Sequence, residues 1–228
     1  RLSDEIVRRV LGRQGMAATR IAMVGKHDGS DIYLCDADGA GLTRLTQDRV
    51  ICLAPRWDPA GRHIYYTAYL RGFPAIYRVP ATGGIRQPLA QFTGLNTGGA
   101  ISPDGTLMAL VLSLPGNPEL HVLNLGSRRL TRLTHTPRAA EASPCWSPDG
   151  QSLAYVSDAS GSPQVYVIRA DNKQPRRITF RGSENVAPDW GPDGRIACCT
   201  RQAGYQIAVL DPHTGRAETL TAGPDHED

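Results

Sequence analysis

The sequence predicts an all-β chain that forms a β-propeller of four-stranded blades, preceded by a short amino-terminal helix. Three observations lead to this fold. A turn sequence containing Pro and Gly recurs at a nearly constant interval, short apolar segments alternate with polar loops, and no long helical period interrupts them. The 24 glycines and 17 prolines among 228 residues are enough for many turns between short strands.

The recurring turn marks the same point in each blade. Its four copies are Trp57–Gly61, Ile101–Gly105, Trp146–Gly150 and Trp190–Gly194. Their prolines, at 59, 103, 148 and 192, lie 44, 45 and 44 residues apart. Pro presets φ at the second position of such a turn and Gly accepts the positive φ that closes it. A period of this length is that of one propeller blade.

The four strands of a blade can be followed in the copy around Trp146. Strand A (142–146) precedes the turn, strand B (152–157) follows it, strand C covers 164–168, and strand D ends at 177–179. The same order predicts a first blade at 20–48 that lacks strand A. It also predicts four whole blades, at 54–91, 98–134, 142–179 and 186–221.

Residues 1–19 are interpreted as a linker that contains a helix at 3–11 and follows an amino-terminal domain outside this sequence. Ser3 suits the N-cap, and Asp4 and Glu5 suit the first turn. We expect this helix to pack on the propeller, which covers 20–228.

Residues 222–228 are interpreted as the start of a sixth blade. We therefore expect the chain to be part of a six-bladed propeller, of which five blades are present here. A five-bladed ring with a gap is the alternative.

Composition argues against several classes of function. Basic residues are scattered and aromatic residues make up 6%, which does not favour nucleic-acid binding. No segment has the length of an apolar membrane span, and none has the pattern of a signal peptide. The odd number of cysteines and their spacing predict buried single residues in strands, not a disulfide framework or a zinc site. They are Cys35, Cys52, Cys145, Cys198 and Cys199.

No catalytic, metal or cofactor site is predicted. The sequence has no Gly-x-Ser-x-Gly elbow, and its six histidines lack the spacing of metal ligands. Asp36–Gly39 is interpreted as a C–D turn because the later ligands of a calcium loop are missing. Gly98-Gly99 precedes a strand, not a helix, so a phosphate cradle is not expected. The tryptophans recur with the blade period and are expected to pack between blades: Trp57, Trp146 and Trp190.

The loops divide into two kinds. In a four-stranded blade the D–A and B–C loops emerge on one face, and the A–B and C–D turns emerge on the other. The A–B turns are short and uniform, whereas the D–A and B–C loops vary in residue type. Because variable loops on a rigid scaffold usually carry binding sites, the D–A and B–C face is predicted to bind a partner.

Several segments resemble the TolB family. Leu2–Val7, Gly15-Met16 and Thr19–Ala22 resemble the junction between that family's amino-terminal domain and its propeller. The blades, such as Trp146–Asp158 followed by Gly161–Tyr166, are also similar, and the likeness covers nearly the whole chain. The resemblance implies a non-enzymatic periplasmic protein of the Tol–Pal system that binds the lipoprotein Pal. It also implies a role in outer-membrane integrity and cell division, with other Tol proteins contacted through the amino-terminal region.

The resemblance also implies contact residues in the D–A loops. Gly94–Ala100 lies where the family has a contact loop; Asn96 matches the family, whereas Leu95 stands where histidine is frequent. The expected contacts are Ile51, Cys52, Leu95, Asn96, Thr97, Ala140, Glu141, Ala142, Glu184 and Asn185. As exposed loop residues, Asn96 and Glu141 are expected to tolerate substitution with little change in melting temperature.

Two other interpretations remain open. The blade motif is shared by the accessory propellers of prolyl-oligopeptidase-like serine peptidases, which would require a hydrolase domain encoded after Asp228. A scaffold propeller with an unknown partner is the third possibility.

Overall fold

The computed structural model describes residues 2–11, 15–26, 29–114, 116–171, 174–202 and 204–221. Within these ranges the chain forms helix α1 (Leu2–Leu11) and nineteen strands. The strands of sheet 1 are β1 (Arg20–Lys26), β2 (Ser30–Asp36) and β3 (Thr43–Arg44). Those of sheet 2 are β4 (Cys52–Trp57), β5 (His63–Ala68), β6 (Ala75–Pro80) and β7 (Gln87–Ala90).

Three further sheets repeat the four-stranded pattern. Sheet 3 has β8 (Asn96–Ile101), β9 (Leu107–Leu112), β10 (Glu119–Asn124) and β11 (Leu130–Arg132). Sheet 4 has β12 (Glu141–Trp146), β13 (Ser152–Ser157), β14 (Gln164–Arg169) and β15 (Arg176–Arg177). Sheet 5 has β16 (Glu184–Trp190), β17 (Ile196–Arg201), β18 (Tyr205–Leu210) and β19 (Ala217–Thr219).

Each sheet is an antiparallel meander in chain order, so the structure is a propeller of five blades. Sheet 1 has three strands in the described residues, and β1 occupies the position of strand B, as the sequence predicts. Residues 222–228, in which a sixth blade was expected to start, lie outside the described residues.

Helix α1 carries Asp4 and Glu5 in its first turn, where carboxylates interact favourably with the helix dipole. Arg9 Nε donates a hydrogen bond of 2.8 Å to Glu5 Oε1, one turn away. The backbone N–H of Ala17 donates to Asp4 Oδ1 at 2.8 Å, which ties the helix to the chain entering β1. Packing of α1 on the propeller stays a prediction.

Apolar clusters between neighbouring sheets form the core. Strand β5 shows how alternation builds it: Ile64 and Tyr66 pack in the cluster shared with sheet 1, whereas Tyr65 packs in the cluster shared with sheet 3. In β9 the residues after Leu107 are all buried, because both faces of that sheet are covered. This double burial explains why the strands are almost continuously apolar in sequence.

The innermost strands line a central cavity of about 590 Å³. Across it, Arg56 Nη1 of β4 lies 3.1 Å from Asp189 Oδ1 of β16, so an ion pair links sheet 2 to sheet 5. Cys35, Cys52, Cys145 and Cys198 are buried in strands, as predicted, whereas Cys199 in β17 is only half-buried.

The tryptophans pack between blades, as their period predicts. Trp146 belongs to the cluster between sheets 3 and 4, and its indole Nε1 donates to the Ala100 carbonyl of β8 at 3.0 Å. Trp57 packs between sheets 1 and 2, and Trp190 between sheets 4 and 5. A buried indole that also donates a hydrogen bond to the neighbouring blade fixes both the distance between the two sheets and their alignment.

The first strand of each four-stranded sheet has a bulge, at its third residue in β4, β8 and β12 and at its fourth in β16. The register shifts there, and φ is positive at Ala54, Gly98, Ser143 and Ala187. A proline follows in three of the four bulges, where its missing N–H removes one donor that the interrupted ladder would leave unpaired.

Gly98 and Gly99 lie inside β8, so the prediction that they precede a strand is wrong. At Gly98, with φ of 93°, an added Cβ would lie 2.8 Å from Pro144 Cδ in the bulge of the next blade. Glycine at this position therefore reflects close contact between neighbouring bulges as well as backbone conformation.

We expect Gly98→Ala to lower the free energy of unfolding by about 2–4 kcal/mol, because positive φ and the contact with Pro144 both oppose the methyl group. Gly83→Ala is the control, since Gly83 has a similar φ of 84° but open space around it. Urea denaturation should show a loss of about 1–2 kcal/mol for the control. Equal losses would show that the contact with Pro144 contributes nothing.

We expect Trp146→Ala to cost about 3–5 kcal/mol, because it opens a cavity between sheets 3 and 4. Trp146→Phe keeps much of the apolar contact and loses the hydrogen bond to Ala100, so it should cost less. Thermal and urea unfolding of both variants measure the difference, and similar values for the two would contradict a packing role.

Candidate partner-binding rim

The D–A and B–C loops emerge together at one end of the blades. We call this surface the loop rim: D–A loops 45–51, 91–95, 133–140 and 178–183, with B–C loops at 29, 69–74, 113–114, 116–118, 158–163, 202 and 204. Hydrogen bonds between blades join these loops. The backbone N–H of Glu141 donates to Pro118 O at 3.0 Å, and that of Asn185 donates to Pro163 O at 2.8 Å.

A polar lock recurs where strand D leads into the D–A loop. A threonine after strand D accepts a hydrogen bond from a backbone N–H in strand C; the threonines are Thr46, Thr134, Thr179 and Thr221. Its hydroxyl also bonds the polar side chain at the start of strand C: Asp31, Glu119, Gln164 and Gln206 respectively. In sheet 2, Ala75 stands in place of the polar residue of strand C and Ala90 in place of the threonine. Both hydrogen-bonding side chains of the lock are therefore replaced together.

Arginine strengthens the lock in sheets 1 and 3. Arg132 Nε donates to Thr134 O and its Nη2 donates to Glu119 Oε1, each at 2.8 Å. Arg44 makes the same two contacts, with Thr46 O and with Asp31. Burial opposes ionisation of Asp31, but hydrogen bonds from the Asp48 backbone and from Thr46, together with Arg44, hold its pKa below the usual value.

The loop between sheets 3 and 4 is further fixed by one amide. Asn117 Nδ2, in a B–C loop, donates to Thr136 O at 2.6 Å and to Ala139 O at 2.8 Å. The backbone N–H of Thr136 donates to Glu119 Oε1 at 2.7 Å. The B–C loop of sheet 3 and the following D–A loop therefore form one braced unit.

Four of the ten expected contact residues are buried: Cys52, Asn96, Glu141 and Asn185. The prediction that Asn96 and Glu141 are exposed is wrong, because strand A begins at these residues in β8 and β12. Gly94–Ala100 is consequently not a free loop, since five of its seven residues belong to β8.

The two asparagines close the loops that precede them. Asn96 is fully buried; its Oδ1 accepts from the Phe92 N–H at 2.8 Å, and its Nδ2 donates to the Phe92 and Gly94 carbonyls. Asn185 Nδ2 similarly donates to Arg181 O, four residues earlier, and to Gln164 Oε1. These residues position the rim from inside.

The other six expected residues remain accessible to different degrees. Ile51 and Ala140 are exposed, whereas Leu95, Thr97, Ala142 and Glu184 are half-buried. Glu184 also pairs with Arg201 Nη1 at 3.3 Å and accepts from Tyr205 Oη at 3.0 Å.

Cys52 lies in a buried charged cluster with Asp31 and Asp48, whose ligand-type atoms all lie within 4.8 Å of one another. Each carboxylate already has a cation: Arg44 pairs with Asp31, and Arg86 pairs with Asp48. Burial, with the nearby carboxylates, raises the pKa of the Cys52 thiol to about 12. The cluster is therefore better suited to bracing the loop by ion pairs than to holding a metal.

Glu141 has a buried carboxyl group that lies between one D–A loop and one B–C loop. Its Oε1 accepts from Thr136 Oγ1 at 2.7 Å, and its Oε2 has no hydrogen-bond partner in the described part of the chain. Burial, together with the charges of Glu119 and Asp158, raises its pKa from 4.5 to about 7.

We expect Glu141 to make the protein less stable as pH rises from 4.5 to about 7, because over that range it ionises in the unfolded chain but stays protonated in the folded one. Glu141→Gln should remove this slope and gain about 3 kcal/mol at pH 8. Glu218→Gln on the exposed β19 is the control, and urea unfolding at several pH values measures both. A wild-type slope retained in Glu141→Gln would contradict this role.

We expect Asn96→Ala to lower the free energy of unfolding by about 1–3 kcal/mol, because the Phe92 N–H and two loop carbonyls lose their partner. The exposed Ile51→Ala should change stability by less than about 0.5 kcal/mol. Chemical denaturation compares them, and an unchanged midpoint for Asn96→Ala would show that the loop closes without this amide.

Large apolar side chains emerge from the rim or, in the case of Tyr205 at the start of β18, directly beside it. Those of Ile51, Phe73, Leu114, Phe180 and Tyr205 are between 44% and 71% exposed. Of these five, Ile51 is among the ten expected contact residues and the other four are not. The signal that could have identified them is an apolar residue in a variable B–C or D–A loop.

A family model described as the TolB beta propeller domain matches residues 7–228. The chain belongs to the TolB β-propeller family. The junction segment and blade motifs quoted above had indicated this membership, which the match confirms.

Relatives named Tol-Pal system protein TolB agree with this assignment. The one from Gluconobacter oxydans is 35% identical over 229 residues, which is 97% of this chain and 51% of the relative. The one from Anaeromyxobacter dehalogenans is 35% identical over 64% of this chain and 33% of the relative. The chain thus spans about half or less of the curated relatives it matches.

Solved structures give the same result. TolB from Acinetobacter baumannii matches with a TM-score of 0.88 and 32% identity, over 96% of this chain and 57% of that one. A puromycin hydrolase matches with a TM-score of 0.63 and 18% identity, over 94% of this chain and 40% of that one. The second likeness shows the fold alone, and the TolB match is the stronger.

In the part of the chain that the structure describes, no helix has the length and apolarity needed to span a membrane.

Proposed function

We propose that this chain is the propeller of a non-enzymatic periplasmic TolB that binds Pal through the loop rim. In this role it supports outer-membrane integrity and cell division, and the rest of the protein contacts other Tol proteins. The observation that carries the proposal is the combination of exposed apolar side chains with loops braced from inside. A surface of this kind is suited to docking a folded protein.

The opposite face is less suited to docking. Its A–B turns satisfy their own polar groups: Asp104 accepts from Thr106 N–H, and Asp149 accepts from Gln151 N–H. Its exposed large apolar side chains are Leu42 and Ile85, in C–D turns. The rim therefore has the greater apolar surface available for a partner.

The peptidase alternative has weaker support. It rests on fold similarity at 18% identity, whereas the TolB relatives are 32% and 35% identical. A likeness of fold alone does not transfer an activity.

The test is binding of cognate Pal by the complete protein, measured by calorimetry. We expect Ile51→Ala combined with Phe180→Ala to weaken binding by about tenfold or more, because apolar anchors at an interface each contribute on the order of 1 kcal/mol or more. Ile85→Ala, 88% exposed on the other face, is the control and should change affinity less than about twofold.

Equal effects of the rim and control variants would place binding elsewhere. Failure of the wild-type protein to bind Pal would overturn the proposal.

A further inference from the structure

Four arginines extend from the loop rim: Arg49, Arg71, Arg138 and Arg181. All are exposed, and each lies in a different D–A or B–C loop. Within the residues that the structure describes, no carboxylate forms an ion pair with these guanidinium groups at 4.0 Å or less. Their charge is available to a ligand.

The acidic side chains near the rim are largely turned inward. Asp31, Asp48 and Glu119 are paired with Arg44, Arg86 and Arg132 beneath the loops. Glu184 is paired with Arg201. Asp158 is exposed and accepts a hydrogen bond from the Ala140 N–H at 2.7 Å. The described rim surface is consequently positive, although the whole chain has a formal net charge of only +3.

On the opposite face, arginine and aspartate lie side by side. Arg169 pairs with Asp171, and Arg195 with Asp193, each at 2.7 Å. The separation of charge at the rim is therefore a property of that surface and not of the composition as a whole.

Three of the rim arginines are within two residues in sequence of an apolar side chain that is also exposed. Arg49 lies two residues before Ile51, Arg71 two residues before Phe73, and Arg181 directly after Phe180. The Phe180 ring is itself held under the guanidinium of Arg177, 5.2 Å from the ring centroid. Arginines beside apolar anchors are a frequent arrangement at protein–protein interfaces.

We propose that the loop rim recognises an acidic protein surface, with partner carboxylates pairing with Arg49, Arg71, Arg138 and Arg181 around the apolar anchors. This inference rests on the proposed function, in which the rim is the docking surface. Beyond that function, it specifies that the partner presents an acidic surface to the rim. Guanidinium groups pair with carboxylates in a bidentate geometry, and complementary charge accelerates association at low ionic strength.

The test uses the complete protein and cognate Pal, with binding rates measured by surface plasmon resonance at about 50 and 300 mM NaCl. The rim variant is Arg49→Glu, Arg71→Glu and Arg181→Glu combined. The control changes Arg62, Arg129 and Arg216, exposed on the other face, to Glu and so alters net charge by the same amount. Heparin is a second immobilised probe.

We expect wild-type association to slow at least about fivefold at the higher salt concentration, and the rim variant to bind Pal at least about thirtyfold more weakly at low salt. The control should stay within about threefold of wild type. Because all six arginines are exposed, both variants should melt within a few degrees of wild type. If the rim variant does not fold, Arg71→Gln and Arg181→Gln replace it.

Three outcomes would overturn the inference. Wild-type binding to Pal that is insensitive both to salt and to the rim substitutions would leave the proposed function intact but exclude an acidic contact surface. Heparin binding as tight as Pal binding would indicate a general polyanion site. Absence of wild-type binding to Pal would overturn the proposed function together with this inference.

Discussion

Burial of both faces of each interior sheet is the constraint on which this structure depends. Alternating residues of one strand, such as Ile64 and Tyr65 in β5, enter different apolar clusters, so no interior blade has a core of its own. Trp146 adds a directional contact by donating to Ala100 in the preceding blade. The apolar contacts hold the sheets together, and this hydrogen bond fixes how two of them face each other.

That packing makes the loop rim rigid without requiring regular structure in the loops. Polar groups left where strand D turns into strand A are satisfied by side chains: a threonine, an arginine, Asn96 or Asn185. Because these groups point inward, apolar and positively charged side chains are left on the surface. The same division of polar groups therefore stabilises the loops from below and leaves the surface above them available for the proposed docking.

The fold could be predicted from a few particular features of the sequence. The spacing of Pro59, Pro103, Pro148 and Pro192 was sufficient for the blades, because a strand–turn repeat has a characteristic length. The packing of the tryptophans between blades was predicted correctly from the same period. The expected exposure of two of the proposed contact residues was wrong. Asn96 and Glu141 look like loop residues in a glycine-rich or small-residue segment, yet each begins a strand and is buried.

The sequence by itself determined the repeat, the positions of the turns and the alternation of buried residues, because these depend on neighbours close along the chain. Only the tertiary structure decided which polar residues face inward. Asn96 and the half-buried Thr97 are adjacent in sequence, and their exposure differs because the Asn96 amide closes the loop that precedes it. The pKa of Glu141 and the unpaired state of Arg71 likewise depend on residues brought near, or kept away, by folding. The residues that surround these two side chains are distant from them in sequence, and no local pattern specifies which of them come together.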